Sequence, residues 1–271
     1  MTLGAPLVIA DETDSTNDDA KRGAREGAPH GALWVAEAQT SGRGRQGRTW
    51  LSPRGENLLF SVLLRLRCAP ARVPPVSLAC GLAVRDAVAR ALGARAADTD
   101  VVVKWPNDVL VRSPRDGVLR KVAGILVESG IAGAKVEYVA VGIGINVHTR
   151  ALPEEVAAIA TSIALERDAR VAAVDRLTAE LAQLDRAEIL ADVLAGLDRD
   201  VEHVAHKGLG LVHARLTRHD ALAGQRVESV DGSGDVYGIA KGIDLEGRLV
   251  VQRDDGTIMR VSSGEVRVRL T

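Results

Sequence analysis

The run Gly42-Arg43-Gly44-Arg45-Gln46-Gly47-Arg48 carries the densest chemical signal in this 271-residue chain. Three guanidiniums alternate with glycines, so fork-shaped donors and exposed amides share one flexible backbone. Such a loop can grip phosphate or carboxylate oxygens two at a time. Its freedom also lets it close over a ligand and exclude water. The glycines formally satisfy the dinucleotide pattern Gly-x-Gly-x-x-Gly, but that reading requires a helix directly after the loop. Here Thr49, Trp50 and Leu51 run into Ser52-Pro53, with Gly55 close behind, which leaves no room for one. A solvated basic loop is the plain alternative.

Two lysines stand in comparably loaded surroundings. Lys104-Trp105-Pro106-Asn107-Asp108 ends a hydrophobic strand. Proline forces the residue before it into an extended form and breaks the ladder, so a lysine, an amide and a carboxylate emerge together at a strand end. Lys121 opens the apolar run Val122-Ala123-Gly124-Ile125-Leu126-Val127-Glu128. It is either snorkelling at an edge or a fixed positive charge for an anionic transition state. Gly142, Gly144 and Asn146 fall in a third run, Val141 to Asn146. Glycines weaken a strand, and close approach of a ligand or another backbone is the usual reason for them. His203 and His206 lie three apart with no third ligand evident, which argues against zinc.

The elements that must position these groups read as follows. Asp11 to Asn17 is rich in N-cap residues and precedes a helix that ends at Gly27. Leu33–Ala38 and Asn57–Leu66 are strands. Val76–Leu92 has the spacing and length of a helix. Val101–Trp105, Lys121–Glu128 and Tyr138–Val147 are strands, the last two paired antiparallel because their connection is short. From Pro153 to Val204 the composition turns to Ala, Leu, Glu and Arg. Leu177, Leu181 and Leu184, then Leu190, Val193, Leu194 and Leu197, recur at helical spacing. After Asp220, five short β runs between Asp-Gly, Glu-Gly and Ser-Gly turns predict a small barrel. The organisation is α+β: a domain over residues 1–219 and a small β domain over 220–271.

Composition removes several classes. A formal net charge of −1 excludes a general polyanion binder, so no nucleic acid is expected. Only six of the 35 basic residues are lysines, which singles out those inside motifs. Cys68 and Cys80 are too few for a disulfide scaffold and are read as reduced thiols. No signal peptide and no run long enough for a membrane span is present. A cytoplasmic protein is expected.

Taken together, these segments resemble the biotin protein ligase family. Its members carry, in order, Ser-Thr-Asn, a Gln-x-x-Gly-Arg-Gly-Arg-x-Gly-Arg-x-Trp loop, Lys-Trp-Pro-Asn-Asp, a Lys-x-Ala-Gly-Ile-Leu-x-Glu strand and a Gly-x-Gly-Ile-Asn strand. This chain has Ser15-Thr16-Asn17, Gln39 to Trp50, Lys104 to Asp108, Lys121 to Glu128 and Gly142 to Asn146. Gly238 to Asp244 is similar to the family's C-terminal domain. The resemblance implies a mixed, largely antiparallel sheet with flanking helices, like the core of class II synthetases, plus an SH3-like barrel. It also implies the monofunctional type, because Ser15 leaves no room for an N-terminal helix-turn-helix.

Chemically, the resemblance implies ATP and biotin as substrates with Mg²⁺, and a biotin carboxyl carrier domain as partner. A monomer or weak homodimer is expected. Ser15, Thr16, Asn17 and Gln39 would meet the ureido head of biotin, with Gly42, Arg43, Gly44, Arg45, Lys121, Gly124 and Gly142 completing its pocket. Arg43, Arg45, Arg48, Trp50, Asn107, Lys121 and Asn146 would meet the nucleotide. Lys121, Arg45 and Asp108 would be catalytic, and Asn107 and Asp108 would help place the metal. Two alternatives stay open: a lipoate-type ligase, and a regulator that holds biotinyl-adenylate without transferring it.

Overall fold

The computed structural model describes residues 3–93, 98–172, 183–231 and 234–268. Seven strands build the main sheet: β1 (Leu7–Ala10), β2 (Leu33–Ala36), β3 (Leu58–Leu64), β4 (Val101–Lys104), β5 (Asp108–Arg112), β6 (Leu119–Ala132) and β7 (Lys135–Ile145). Their order is β1-β2-β3-β7-β6-β5-β4. β1 and β2 pair in parallel and every other neighbour is antiparallel. β3 is buried at all seven positions, as a strand covered on both faces must be.

Alternation along these strands separates two faces. Phe60, Val62 and Leu64 of β3, Ile125 of β6 and Val139, Val141, Ile143 and Ile145 of β7 enter the main hydrophobic core. On that side lie α2 (Val76–Leu92) and α5 (Arg186–Lys207), which pack on each other through Gly196, where a Cβ would sit 2.7 Å from Ala83 Cβ. α2 has apolar side chains almost all round because it is held between sheet and helix. The opposite face carries α1 (Thr16–Arg25), seated by Ala24 against Leu63 and Ala32. Ser15 caps α1 with extended backbone, and Asp18 and Asp19 in the first turn suit its dipole. The short helices α3 (Glu154–Ala157), α4 (Ile163–Ala172) and α6 (His213–Arg218) complete the larger unit.

The second sheet runs β8 (Arg226–Asp231), β9 (Gly234–Ile243), β10 (Leu249–Gln252), β11 (Ile258–Val261) and β12 (Glu265–Val268). It is antiparallel throughout, in the order β11-β10-β9-β8-β12. Among the described residues its edge strands β11 and β12 are not paired with each other. The chain before it covers the open edge of β4, since Val103 N donates to His219 O and Ala221 N to Val103 O. Trp105 Nε1 donates to Gly247 O at 2.9 Å, which ties the turn after β4 to the second sheet.

Most elements fall where the sequence places them, and the helix Val76–Leu92 agrees at both ends. β5 was not anticipated: the turn at Pro106 ends β4 but returns the chain as its antiparallel partner. Leu184 precedes α5, while Leu190, Val193, Leu194 and Leu197 lie along it. Leu177 and Leu181 lie outside the described residues.

Candidate active site

The second face of the main sheet forms the floor of a cleft, and its register can be read as three rows across the strands. Leu59, Gly144, Gly124, Asp108 and Lys104 pair in one row. Ser61, Gly142 and Leu126 form the next, and Leu63, Ala140 and Glu128 the third. The glycines are explained by what lies on them. A Cβ on Gly144 would sit 2.6 Å from Trp50 Cε2, and one on Gly124 would sit 3.0 Å from both Trp50 Cζ3 and Lys121 Nζ. The Trp50 indole therefore lies directly on the backbone of β6 and β7. Lys121 Nζ is 5.3 Å from its ring centroid, within cation–π range.

At one end of the floor stands a polar group from α1 and the segment after β2. Gln39 Oε1 accepts from Thr16 N at 2.8 Å and from Thr16 Oγ1 at 3.1 Å. Thr16 Oγ1 also lies 2.9 Å from Ser61 Oγ. With its oxygen committed, the Gln39 amide has its Nε2 donor end left to offer. Asn17 Nδ2 donates to Glu128 Oε2 at 2.5 Å, while Asn17 Oδ1 is shielded from solvent and has no partner. Ser15, Thr16 and Asn17 are all buried.

Opposite that group lies charge. Arg45, Arg48, Lys104 and Lys121 line that end of the cleft with two carboxylates, Asp108 and Glu265. Lys121 Nζ contacts Asp108 Oδ1 at 2.7 Å, a charge contact outside hydrogen-bonding angles. Burial pushes Lys104 below the ordinary lysine range, with Asp108 and Glu265 opposing the shift. Burial likewise lowers Arg45, against the pull of Asp108. Cations penalised by desolvation gain most from an arriving anion. Glu265 reaches in from β12 and pairs with Arg48, which holds its carboxyl below the usual range.

The glycine–arginine loop roofs the cleft. Gly44 N donates to Arg48 O at 2.7 Å and Trp50 N to Gly42 O at 2.8 Å, so its base is a narrow hairpin. Gln46 and Gly47 turn through positive φ, at 56° and 73°. Arg43 Nη2 reaches Asp18 at 2.6 Å and Glu128 at 3.1 Å. Loop and floor together line one open cleft. Among the described residues, six shielded side-chain atoms lack a hydrogen-bond partner, and Asn17 Oδ1, Trp50 Nε1 and Asp108 Oδ1 are three of them. Such atoms are rare in folded proteins, and these three belong to residues that line the cleft.

Residues 9–146 match the biotin/lipoate A/B protein ligase family, and residues 223–269 match the biotin protein ligase C-terminal domain. The chain is 36% identical over 263 residues to the biotin–[acetyl-CoA-carboxylase] ligase of Mycobacterium tuberculosis, covering 96% of this chain and 88% of that one. The chain belongs to the biotin protein ligase family. It is also 30% identical to the bifunctional ligase/repressor BirA of Bacillus spizizenii, over 98% of this chain and 75% of that protein. Among solved structures, the Aquifex aeolicus biotin protein ligase in complex with biotin and ATP superposes with a TM-score of 0.74. That match is 28% identical and covers 98% of this chain and all of the other.

Against the residues that the family resemblance singles out, the fold brings most into one cleft. Ser15, Thr16, Asn17, Gln39, Arg43, Gly44, Arg45, Arg48, Trp50, Asn107, Asp108, Lys121, Gly124 and Gly142 all line it. Gly42 and Asn146 do not. Gly42 lies at the base of the loop, where a Cβ would be 2.5 Å from Trp50 O. Asn146 is buried and donates to Thr161 O at 3.0 Å. Asn107 is divided: Nδ2 donates to Ile125 O at 2.8 Å, and Oδ1 receives Arg45 only at 3.4 Å. The sequence alone assigns no site role to Lys104, Ser61, Glu128 or Glu265. The pairing of Lys104 with Asp108 is the one signal a hairpin reading of Lys104–Asp108 would have supplied; Glu265 is 217 residues from Arg48 and left none.

Proposed function

We propose that this chain activates biotin with ATP as biotinyl-5'-AMP and transfers it to a lysine of a biotin carboxyl carrier domain. The observation that carries the reading is the division of the cleft. A buried hydroxyl-and-amide group (Thr16, Asn17 and Ser61, with half-buried Gln39) faces four cations, Arg45, Arg48, Lys104 and Lys121, across a glycine floor. A ureido ring offers N–H donors and a carbonyl acceptor, which matches the free Asn17 Oδ1 and the Gln39 amide. The dithiolane of lipoate offers neither, so the polar end favours biotin over a lipoate-type substrate.

In the first step the biotin carboxylate attacks the α-phosphorus of ATP, a new O–P bond forms and pyrophosphate leaves. Two anions must meet, so charge must be neutralised before geometry can act. Lys121, fixed between Asp108 and the face of Trp50, is the group placed to hold the carboxylate and the α-phosphate together. Arg45, Arg48 and Lys104 then surround the remaining phosphate oxygens. In the second step the carrier lysine amine attacks the acyl carbon, AMP leaves, and Asp108 is the carboxylate at hand to take the amine's proton. The loop over the cleft keeps water from the mixed anhydride.

Mg²⁺ fits this site as a companion of the triphosphate. Asp108 and Asn107 Oδ1 form a two-oxygen set of the kind that shares Mg²⁺ with substrate phosphates. When bound, the ion would neutralise phosphate charge. No described helix is long and apolar enough to cross a membrane, and we place the reaction in the cytoplasm.

The test is the mass of a biotin carboxyl carrier domain incubated with this protein, ATP, Mg²⁺ and biotin. A gain of one biotinyl group that needs ATP and is not replaced by a lipoyl group is the expected result. No gain, with tightly held biotinyl-adenylate, would show a binding protein that does not transfer.

A further inference from the structure

Glu128 ends the third row of the floor, and its carboxylate takes three donors. Oε2 accepts from Asn17 Nδ2 at 2.5 Å and Arg43 Nη2 at 3.1 Å, and Oε1 accepts from Lys21 Nζ at 2.9 Å. The two cations have a second anion, because Asp18 contacts Lys21 at 2.8 Å and Arg43 at 2.6 Å. Asn17 Nδ2 has no other acceptor among the described contacts. Glu128 is thus replaceable for Lys21 and Arg43, but not for Asn17.

That distinction matters because the two ends of an amide have nearly the same shape and opposite hydrogen-bonding character. A carboxylate can only accept. Facing Glu128, Asn17 must point its nitrogen at the carboxylate and its oxygen the other way. The oxygen then lies over Gly142, where a Cβ would sit 3.0 Å from it, unpartnered and shielded in the cleft. A neutral or donating neighbour at position 128 would let the amide turn over and show the ligand a donor instead.

We propose that Glu128 is a positioning residue for substrate recognition: it fixes the Asn17 amide so that Oδ1 meets a ureido N–H of the substrate as acceptor. The inference rests on the biotin reading above and assigns the polarity of one contact within it. Glu128 touches no reacting atom, and its effect appears in biotin affinity rather than in turnover.

The experiment compares the full chain with E128Q, N17D and the double variant N17D/E128Q, by the biotin dependence of biotin-driven ATP–pyrophosphate exchange. N17D sets two carboxylates face to face and is expected to raise the biotin KM by ~100-fold, the upper range for a hydrogen bond to a charged group. E128Q frees the amide and is expected to raise it roughly tenfold by the same scale. In the double variant the polarity of the pair is exchanged. The amide now at position 128 can donate to one oxygen of the carboxylate now at position 17 and leave the other facing the cleft. The biotin KM should then return to within about fivefold of wild type, with kcat changed by less than about threefold throughout. A merely structural role would lower stability without this reciprocal rescue.

A double variant no better than N17D, or an unchanged biotin KM in E128Q, would overturn the inference. Should N17D fail to fold, the E128Q KM decides alone. Wild-type protein without any biotin-dependent exchange would overturn the biotin reading itself, a result distinct from active wild type with a failed rescue.

Discussion

In the roof of the cleft, Gly47 has φ +73° and nothing within 4 Å of where its Cβ would be. In the floor, Gly144 lies in β7 and a Cβ there would meet Trp50 at 2.6 Å. The first glycine answers to its own backbone and the second to its neighbour. The loop uses glycine for shape, since the left-handed turn at Gly47 helps to carry the guanidiniums over the floor. The floor uses it for clearance, so that an aromatic face and a lysine amine can rest on bare backbone. Replacing a glycine in the two regions should therefore act through different physical causes and with different size.

Lys121 sets the scale, because its amine rests on the floor at Gly124. Lys121→Ala is expected to slow biotin-dependent pyrophosphate exchange by ~10²–10³, the usual loss for one well-placed donor to a developing anion. Its side chain is 31% exposed and its backbone pairs with Ile159 and Thr161, so the thermal transition should move little. Exchange close to wild type would remove Lys121 from the chemistry and leave the floor as mere packing.

The clearance argument is tested at Gly144. Gly144→Val forces three carbons into the place of the Trp50 ring, a clash of the kind that costs ~1–3 kcal/mol in a packed interior. An increase in the ATP KM of about 10–100-fold is expected, with quenching or shift of the Trp50 emission as the indole leaves its seat. Should the ATP KM hold while the emission moves, the indole covers something other than the nucleotide.

Much of this was readable in one dimension. The helix Val76–Leu92, the β6–β7 pair and the five strands of the second sheet announce themselves through spacing and turn residues, which are local signals. The motif residues were legible as types: arginines among glycines, a lysine heading an apolar strand. What stayed hidden depends on register. That Gly124 faces Gly144, and both face Trp50, follows from strand pairing across 20 residues and a loop 74 residues upstream. The return strand β5 was masked because Pro106 reads as an ending. Glu128 is the last letter of a motif in the sequence, yet its hydrogen bond with Asn17 spans 111 positions. Asn146, expected at the nucleotide, turns its amide to Thr161, since a buried polar group takes the nearest acceptor.

The smallest effect belongs to the loop. Gly47→Ala puts a methyl group into open space, so no clash opposes it; only the left-handed backbone does, at roughly 1–2 kcal/mol. That strain falls on the loop conformation in which Gln46 and Gly47 both turn through positive φ, and a loop that opened would relax it. The expected outcome is a loss of about fivefold in kcat/KM for carrier labelling, with biotinyl-adenylate escaping faster from the enzyme than in wild type. Stopped-flow release of labelled adenylate measures the second part directly. A loss as large as that of Gly144→Val would mean that the loop, like the floor, is held by contacts the glycine clears, and the contrast between roof and floor would not survive it.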